Sequence, residues 1–324
     1  MKTPLYQQAI VHSWKLAWEH KILWVFGLFA VFLGQMGILD LLGKVVMSAS
    51  NSPLHIALSE WFLVLKNVIF EFKSLSLSLD IWIWFFSLGV VILGFGLFLV
   101  FVSVISQGAL IKAAAVSVKH KKLPNAGEEW HVGVNHFWPL FFVNLGKKIV
   151  FCILSLFVSW LAFLTVINFN LLWGLLFLFG FILATLIGMI ASFLSIYVAG
   201  YIVVEKFNFE KACVSAWKLF LGHWLVSMEV GLIVLLLNLL VGLIVFIFVM
   251  ILVIPTLASG LLVAASYNPV LWFVSLLFRV GVPVLLIMVV GSIFTVFNTS
   301  VWTCLFMAMH KVGLKSRILH WLGK

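Results

Sequence analysis

The sequence predicts an all-α polytopic membrane protein with about six transmembrane helices, built as three quasi-repeated hairpins with amphipathic interfacial helices. Of its 324 residues, 65% are hydrophobic and only 9% are charged, whereas roughly a quarter of the residues in a soluble domain are charged. The apolar runs exceed the ~20 residues that a helix needs to cross a ~30 Å hydrocarbon core. A short Trp/His pattern also occurs three times, each time where a long apolar run begins.

Six apolar runs are long enough to cross a bilayer. They cover about residues 22–43, 80–112, 141–167, 171–203, 225–254 and 283–309. Only residues 168–170 separate the third run from the fourth, so these two must form an antiparallel hairpin. Pro255 and Pro269 bracket the connection between the fifth and the sixth, and we expect both to stop helices because proline has no N–H to donate. Residues 270–280 are then expected to form a separate, short interfacial helix.

The Trp/His pattern indicates an internal repeat. In each copy a Trp precedes a His by six residues: Trp14 and His20, Trp130 and His136, and Trp217 and His223. The outer copies, AIVHSWKLAWEH and ACVSAWKLFLGH, also share Ala, Trp-Lys-Leu and His in register. We therefore expect a single membrane domain, residues 1–324, with quasi-repeats at about 5–118, 124–204 and 206–312.

An insert at about residues 53–73 distinguishes the first hairpin. Its large apolar residues recur at three- and four-residue spacing: Leu54, Leu58, Trp61, Leu65, Ile69 and Phe72. This spacing is typical of an amphipathic helix that lies in the membrane interface.

The distribution of basic residues predicts the orientation. Of the 20 Lys and Arg residues, all but four lie at the termini and at the second–third and fourth–fifth connections with their adjoining helix ends; the four are Lys44, Lys66, Lys73 and Arg279. Positive charge accumulates on the cytoplasmic side, so both termini are expected in the cytoplasm, at a bacterial inner membrane. The three Trp/His segments then share the cytoplasmic face. We interpret the net charge of +10 as a signal of topology and lipid attraction, and nucleic acid is not an expected partner.

The Trp/His segments are candidate sites for anionic lipid headgroups, since interfacial Trp lies at headgroup depth and nearby Lys can reach phosphates. The candidate contacts are Trp14, Lys15, His20, Trp130, His136, Trp217, Lys218 and His223. The alternative is that the three segments are ordinary surface anchors without lipid preference.

Three charges interrupt apolar runs and are candidate intramembrane groups: Lys147, Lys148 and Glu229. A charge at mid-bilayer costs about 2.5–3.5 kcal/mol on insertion scales and calls for a partner or a wet cavity. A pair between Glu229 and one of the two lysines is one interpretation. In the other, residues 137–148 are a surface helix and the crossing begins at Ile149.

Small and polar residues inside the crossings predict helix association. Gly180, Ala184, Gly188 and Ser192 form a four-residue series, which is how membrane helices approach each other closely. Asn144, Asn238 and Asn298 are expected to hydrogen-bond between helices.

The sequence holds no motif of a hydrolase, no phosphate-binding loop and no acidic metal cluster. Its Asp and Glu residues number only 10 and are scattered. We therefore expect no enzyme activity, no catalytic residue, no cofactor and no metal site.

The cytoplasmic segments GALIKAAAVSVKHKKLPNAGEEW and AGYIVVEKFNFEKACVSAWKLF, each leading into a hydrophobic hairpin, carry a family resemblance. Over about residues 5 to 312 the chain resembles bacterial membrane-only proteins similar to the membrane domain of glycerophosphoryl diester phosphodiesterases, including the YciC-like group. In the phosphodiesterases a separate soluble barrel supplies the catalytic residues. This chain ends at Lys324 without that barrel, so the resemblance implies no catalytic residue here.

Two functions remain open at this point. The first is a non-enzymatic membrane protein that organises lipids or partner proteins at the cytoplasmic membrane. The second is a transporter or lipid-translocating protein that uses the intramembrane charges.

Overall fold

The computed structural model describes residues 5–31, 79–120, 126–168, 170–265 and 269–312. Within these ranges there are eight helices and no strand: α1 (Leu5–Glu19), α2 (Ile22–Val31), α3 (Leu79–His120), α4 (Ala126–Asn135), α5 (Phe137–Asn168), α6 (Leu171–Val204), α7 (Phe209–Ala265) and α8 (Pro269–Val312). The helices α3, α5, α6, α7 and α8 are each long and apolar enough to cross a membrane. The predicted class, an all-α polytopic membrane protein, is confirmed.

The hairpin of α5 and α6 follows the sequence prediction closely, since its helices begin and end within a few residues of the predicted third and fourth crossings. The first predicted crossing, 22–43, begins with α2, and its remainder lies outside the described residues. The predicted interfacial insert at 53–73 also lies outside them.

The prediction that Pro255 stops a helix is wrong, because α7 continues past it to Ala265. The predicted short helix at 270–280 is likewise not separate, because α8 runs from Pro269 through Pro283 to Val312. Proline is tolerated inside membrane helices, where neighbouring helices and local adjustments satisfy the backbone groups that it frees. The expectation that proline ends a helix comes from helices in water, and it does not hold for these two segments.

Burial is concentrated at one end of the bundle, which we call the packed end. It consists of residues 102–117 of α3, 188–203 of α6 and 291–309 of α8, where most side chains are buried. The helices α1 and α4 and the start of α7 pack against this end. Away from it, residues 82–100 of α3 and most of α5 after Ile149 present large apolar side chains on the surface, as expected for helices that contact lipid chains.

The helices at the packed end are joined by close backbone approaches and by a few polar contacts. His12 Nε2 lies 3.1 Å from Ser117 Oγ and joins α1 to α3. Ser292 in α8 donates its hydroxyl to the backbone carbonyl of Trp24 in α2. Gly133 of α4 lies so close to α3 that an added Cβ would clash with the carbonyl oxygen of Ile105. Three separate chain segments are thus fixed to the same end.

The series of small residues in α6 faces α5. All four members, Gly180, Ala184, Gly188 and Ser192, are buried. The nearest side chains to Gly180 are Leu161 and Phe157, and Gly188 lies against Phe151 and Leu154. The predicted role of this series in helix association is confirmed for the α5–α6 hairpin.

Helix geometry is interrupted at the histidine of each Trp/His segment. His20 lies between α1 and α2, His136 lies between α4 and α5, and His223 has non-helical torsions (φ −135°, ψ 28°) inside α7. In the second and third copies the ring Nδ1 donates to the carbonyl oxygen four residues earlier, at 2.8 Å for His136 and 3.3 Å for His223. The Val132 carbonyl also accepts the backbone N–H of His136 at 3.2 Å, so the His136 ring adds a second hydrogen bond at the end of the amphipathic helix.

Replacing His136 with Ala should lower the free energy of unfolding by about 1 kcal/mol, the net value of one intramolecular hydrogen bond. The measurement is equilibrium unfolding of the purified protein in mixed micelles with increasing dodecyl sulfate. His131→Ala is the matched control, because His131 is an exposed residue of the same helix α4. Equal losses in the two variants would contradict a structural role for the His136 ring.

Candidate functional site

The outer two Trp/His segments present the same pair of residues on the surface. Trp14 is 50% exposed and Trp217 is 47% exposed, and the following residues, Lys15 and Lys218, are exposed as well. Trp14 packs edge-on against Phe297 of α8, with ring centroids 5.7 Å apart. A Trp that is half packed and half accessible, beside an accessible Lys, has the form of an interfacial anchor.

The middle segment differs from the other two. Trp130 is half-buried and stacks on Phe26 of α2, with ring centroids 6.1 Å apart. No Lys follows it, since the next residue is His131. His20, His136 and His223, the remaining candidate headgroup contacts, are all partly buried at the helix breaks. The surface pair of Trp and Lys is therefore a feature of the outer copies.

A cleft with a mostly apolar lining lies among α3, α5, α6 and α8 at the packed end. Its volume is about 40 Å³, where one water molecule needs roughly 10–15 Å³. Besides apolar residues and Trp302, it is lined by Gln107, Lys147, Ser195, Asn298, Thr299 and Thr303. Beside the cleft, Asn144 donates its amide to Gln107 Oε1 at 2.6 Å and joins α5 to α3. The interhelical role predicted for Asn144 is confirmed, whereas Asn238 donates to the Val234 carbonyl of its own helix.

The three candidate intramembrane charges have different surroundings. Lys147 is partly buried, lines the cleft and places its Nζ 6.0 Å from the ring centre of Phe151. Lys148, the next residue, is exposed and is not among the lining residues. Glu229 is partly buried in α7 and also does not line the cleft. Lys147 therefore shares the cleft with other polar side chains.

Two lining residues of α8 have polar atoms without a hydrogen-bond partner among the described residues. Asn298 is 7% exposed and its Oδ1 accepts no hydrogen bond there; Trp302 is 3% exposed and its Nε1–H donates none. The two residues are four apart and so share a face of the helix. A buried polar group without a partner costs about 1–3 kcal/mol, so each such group needs a specific explanation.

Sequence reasoning missed this cleft because its residues come from four distant segments. A signal was present in α8, where Thr295, Thr299 and Thr303 recur every four residues beside Asn298. Such a polar stripe in a membrane helix faces protein or a cavity, since lipid offers no partners. Among the described residues, no group of three or more His, Cys, Asp or Glu side chains is placed to hold a metal ion.

Comparison of the chain with protein-family models, with curated proteins and with solved structures gave no match. The resemblance to membrane domains of glycerophosphodiester phosphodiesterases and to the YciC-like group therefore stays a prediction.

Proposed function

We propose that this protein is a non-enzymatic membrane module of the bacterial inner membrane that binds anionic lipids at its cytoplasmic face. The single observation that carries the proposal is the equivalent exposure of Trp14 with Lys15 and of Trp217 with Lys218. Each pair combines an aromatic ring for the headgroup region with a cation for a phosphate. Two such pairs on one membrane protein attract anionic lipid at two places.

The orientation in this proposal follows from the basic residues. Both termini and the Trp/His segments face the cytoplasm, where the positive-inside rule places most of the Lys and Arg residues. The anionic lipids of the inner leaflet are then within reach of Lys218 and of Lys15, whose Nζ also lies 3.5 Å from the Glu19 carboxylate. The role of the protein is to organise these lipids, or partner proteins that assemble on them.

Replacing Lys15 and Lys218 with Gln should weaken the preference for anionic lipid by roughly fivefold for each lysine, because one Lys near an anionic surface contributes about 1 kcal/mol. The measurement is native mass spectrometry of the protein released from nanodiscs that contain equal parts of phosphatidylglycerol and phosphatidylethanolamine. The readout is the ratio of the two lipids among those lost at low activation energy.

The matched control replaces Lys44 and Lys66 with Gln, which removes the same total charge from the predicted opposite side. The proposal expects the control to keep the wild-type lipid ratio. A loss of the same size in both double variants would mean that net charge, and not the Trp/Lys pairs, sets the lipid preference.

A second candidate function is a transporter or a lipid-translocating protein. The observation that favours it is the cleft that Lys147 lines among helices long and apolar enough to cross a membrane, since ionisable groups inside membrane proteins often mark transport pathways. Transfer of a fluorescent phospholipid between leaflets of proteoliposomes tests it. Equal transfer rates with and without the protein would exclude lipid translocation.

A further inference from the structure

We propose that the cleft among α3, α5, α6 and α8 binds a phosphate group and that a membrane phospholipid is its source. The inference deepens the lipid-binding function proposed above and rests on it, because that function supplies the ordered lipid. It uses none of the same residues. It concerns one tightly held lipid between helices, whereas the Trp/Lys pairs concern lipids at the surface.

The donors in the cleft suit a phosphate. Lys147 supplies a cation, and the Trp302 Nε1–H is a donor that no described residue satisfies. The Thr299 hydroxyl lines the same space, whereas the hydroxyls of Ser195 and Thr303 already donate to the carbonyl oxygens of Ala191 and Thr299. Hydrogen bonds to an ionised group are about twice as strong as neutral ones, so an anion would use this set of donors better than water would.

Asn298 adds information about the rest of the ligand. Its Oδ1 is an acceptor without a partner among the described residues, and a fully ionised phosphate has no proton to donate to it. A hydroxyl or ammonium group in the same headgroup would supply that proton. The cleft therefore fits a phosphodiester whose headgroup carries such a donor, which includes the common glycerol and ethanolamine headgroups.

The position of the cleft relative to the hydrocarbon core of the membrane favours a phospholipid over a free ion. From Lys147 to Asn168, at the turn of the α5–α6 hairpin, the helix is about 32 Å long at 1.5 Å per residue. This length is close to the ~30 Å of a hydrocarbon core. With the turn at one boundary of that core, Lys147 lies at the other, which is where phospholipid phosphates are found.

The test compares two neighbouring lysines of α5, one in the cleft and one outside it. Native mass spectrometry of protein from the same phosphatidylglycerol–phosphatidylethanolamine nanodiscs should show one phospholipid that survives the highest activation energy. Lys147→Gln should lose it or bind it roughly 10- to 100-fold more weakly, the size expected for a hydrogen bond to a charged group. Lys148→Gln should retain it. Trp302→Phe, which removes the N–H donor together with the pyrrole ring of the indole and keeps a six-membered aromatic ring, should weaken it as well.

The result that would overturn the proposal is equal retention of this lipid by wild type and Lys147→Gln, or equal loss from Lys147→Gln and Lys148→Gln. The Lys15/Lys218 double variant should keep the tightly held lipid, so a failure of the surface function leaves this test intact. A second arm adds inorganic phosphate to delipidated protein in a maltoside detergent and follows thermal unfolding. Stabilisation of wild type but not of Lys147→Gln would support the phosphate site, and the same result with no tightly held phospholipid in the nanodisc experiment would overturn the phospholipid as its source.

Discussion

Replacing Phe306 with Ala should lower the free energy of unfolding by about 3 kcal/mol. Phe306 is fully buried at the packed end, packs on Gly200 and has its ring centroid 4.9 Å from that of Tyr201. Removing the ring leaves a cavity where α6 and α8 meet. The expected loss is at the low end of the range for Phe→Ala, because lipid solvates the ring in the unfolded state and the loss is then mainly one of packing.

The matched control for this variant is Phe98→Ala in α3. Phe98 is exposed on the lipid-facing half of its helix, so its removal leaves no internal cavity and should change the free energy of unfolding by less than about 0.5 kcal/mol. Both variants are measured by dodecyl sulfate titration in mixed micelles. Similar losses would show that burial at the packed end does not carry the stability of the bundle.

Replacing Gly133 of α4 with Val should also lower the free energy of unfolding by about 3 kcal/mol. A Cβ at Gly133 would overlap the carbonyl oxygen of Ile105, a backbone atom that cannot move aside as the end of a side chain can. Gly108 of α3 lies on the same contact, where its own added Cβ would lie 3.0 Å from the Gly133 Cα. The substitution should therefore separate α4 from α3 and expose the middle Trp/His segment to proteolysis.

Gly94→Val is the control for this second variant, since an added Cβ at Gly94 has no heavy atom of the described residues within 4 Å. The same change in helix propensity is made in both variants, so a difference between them reports the α3–α4 contact. Limited proteolysis in nanodiscs with chymotrypsin, which cleaves after aromatic residues such as Trp130, gives an independent readout. Unchanged stability and unchanged cleavage of Gly133→Val would mean that α4 is not fixed to α3.

The fold class could be predicted because bilayer thickness sets helix length. The α5–α6 hairpin was predicted within a few residues, since nothing but 168–170 can turn between its two apolar runs. The small-residue series of α6 was also predicted, because four-residue spacing places Gly180 and Gly188 on one face of the helix. Each of these predictions depends on local geometry alone.

The parts that could not be predicted depend on contacts between distant segments. The sequence gives Trp130 the same pattern as Trp14, yet Trp130 stacks on Phe26 and is partly buried. The cleft was missed because Gln107, Lys147 and Trp302 meet only when three helices pack. The continuation of α7 past Pro255 was missed because a lipid environment relaxes the rule that proline stops a helix.

The central claim is that this protein gathers anionic lipid around its Trp/Lys pairs, and the most direct measurement is the lipid composition of native nanodiscs. The protein is extracted from membranes without detergent, and the copurifying lipids are quantified by mass spectrometry against the bulk membrane. The account predicts an excess of anionic lipid around wild type that falls in the Lys15/Lys218 double variant. Bulk-like lipid around wild type, with a reproducible protein partner in its place, would contradict it.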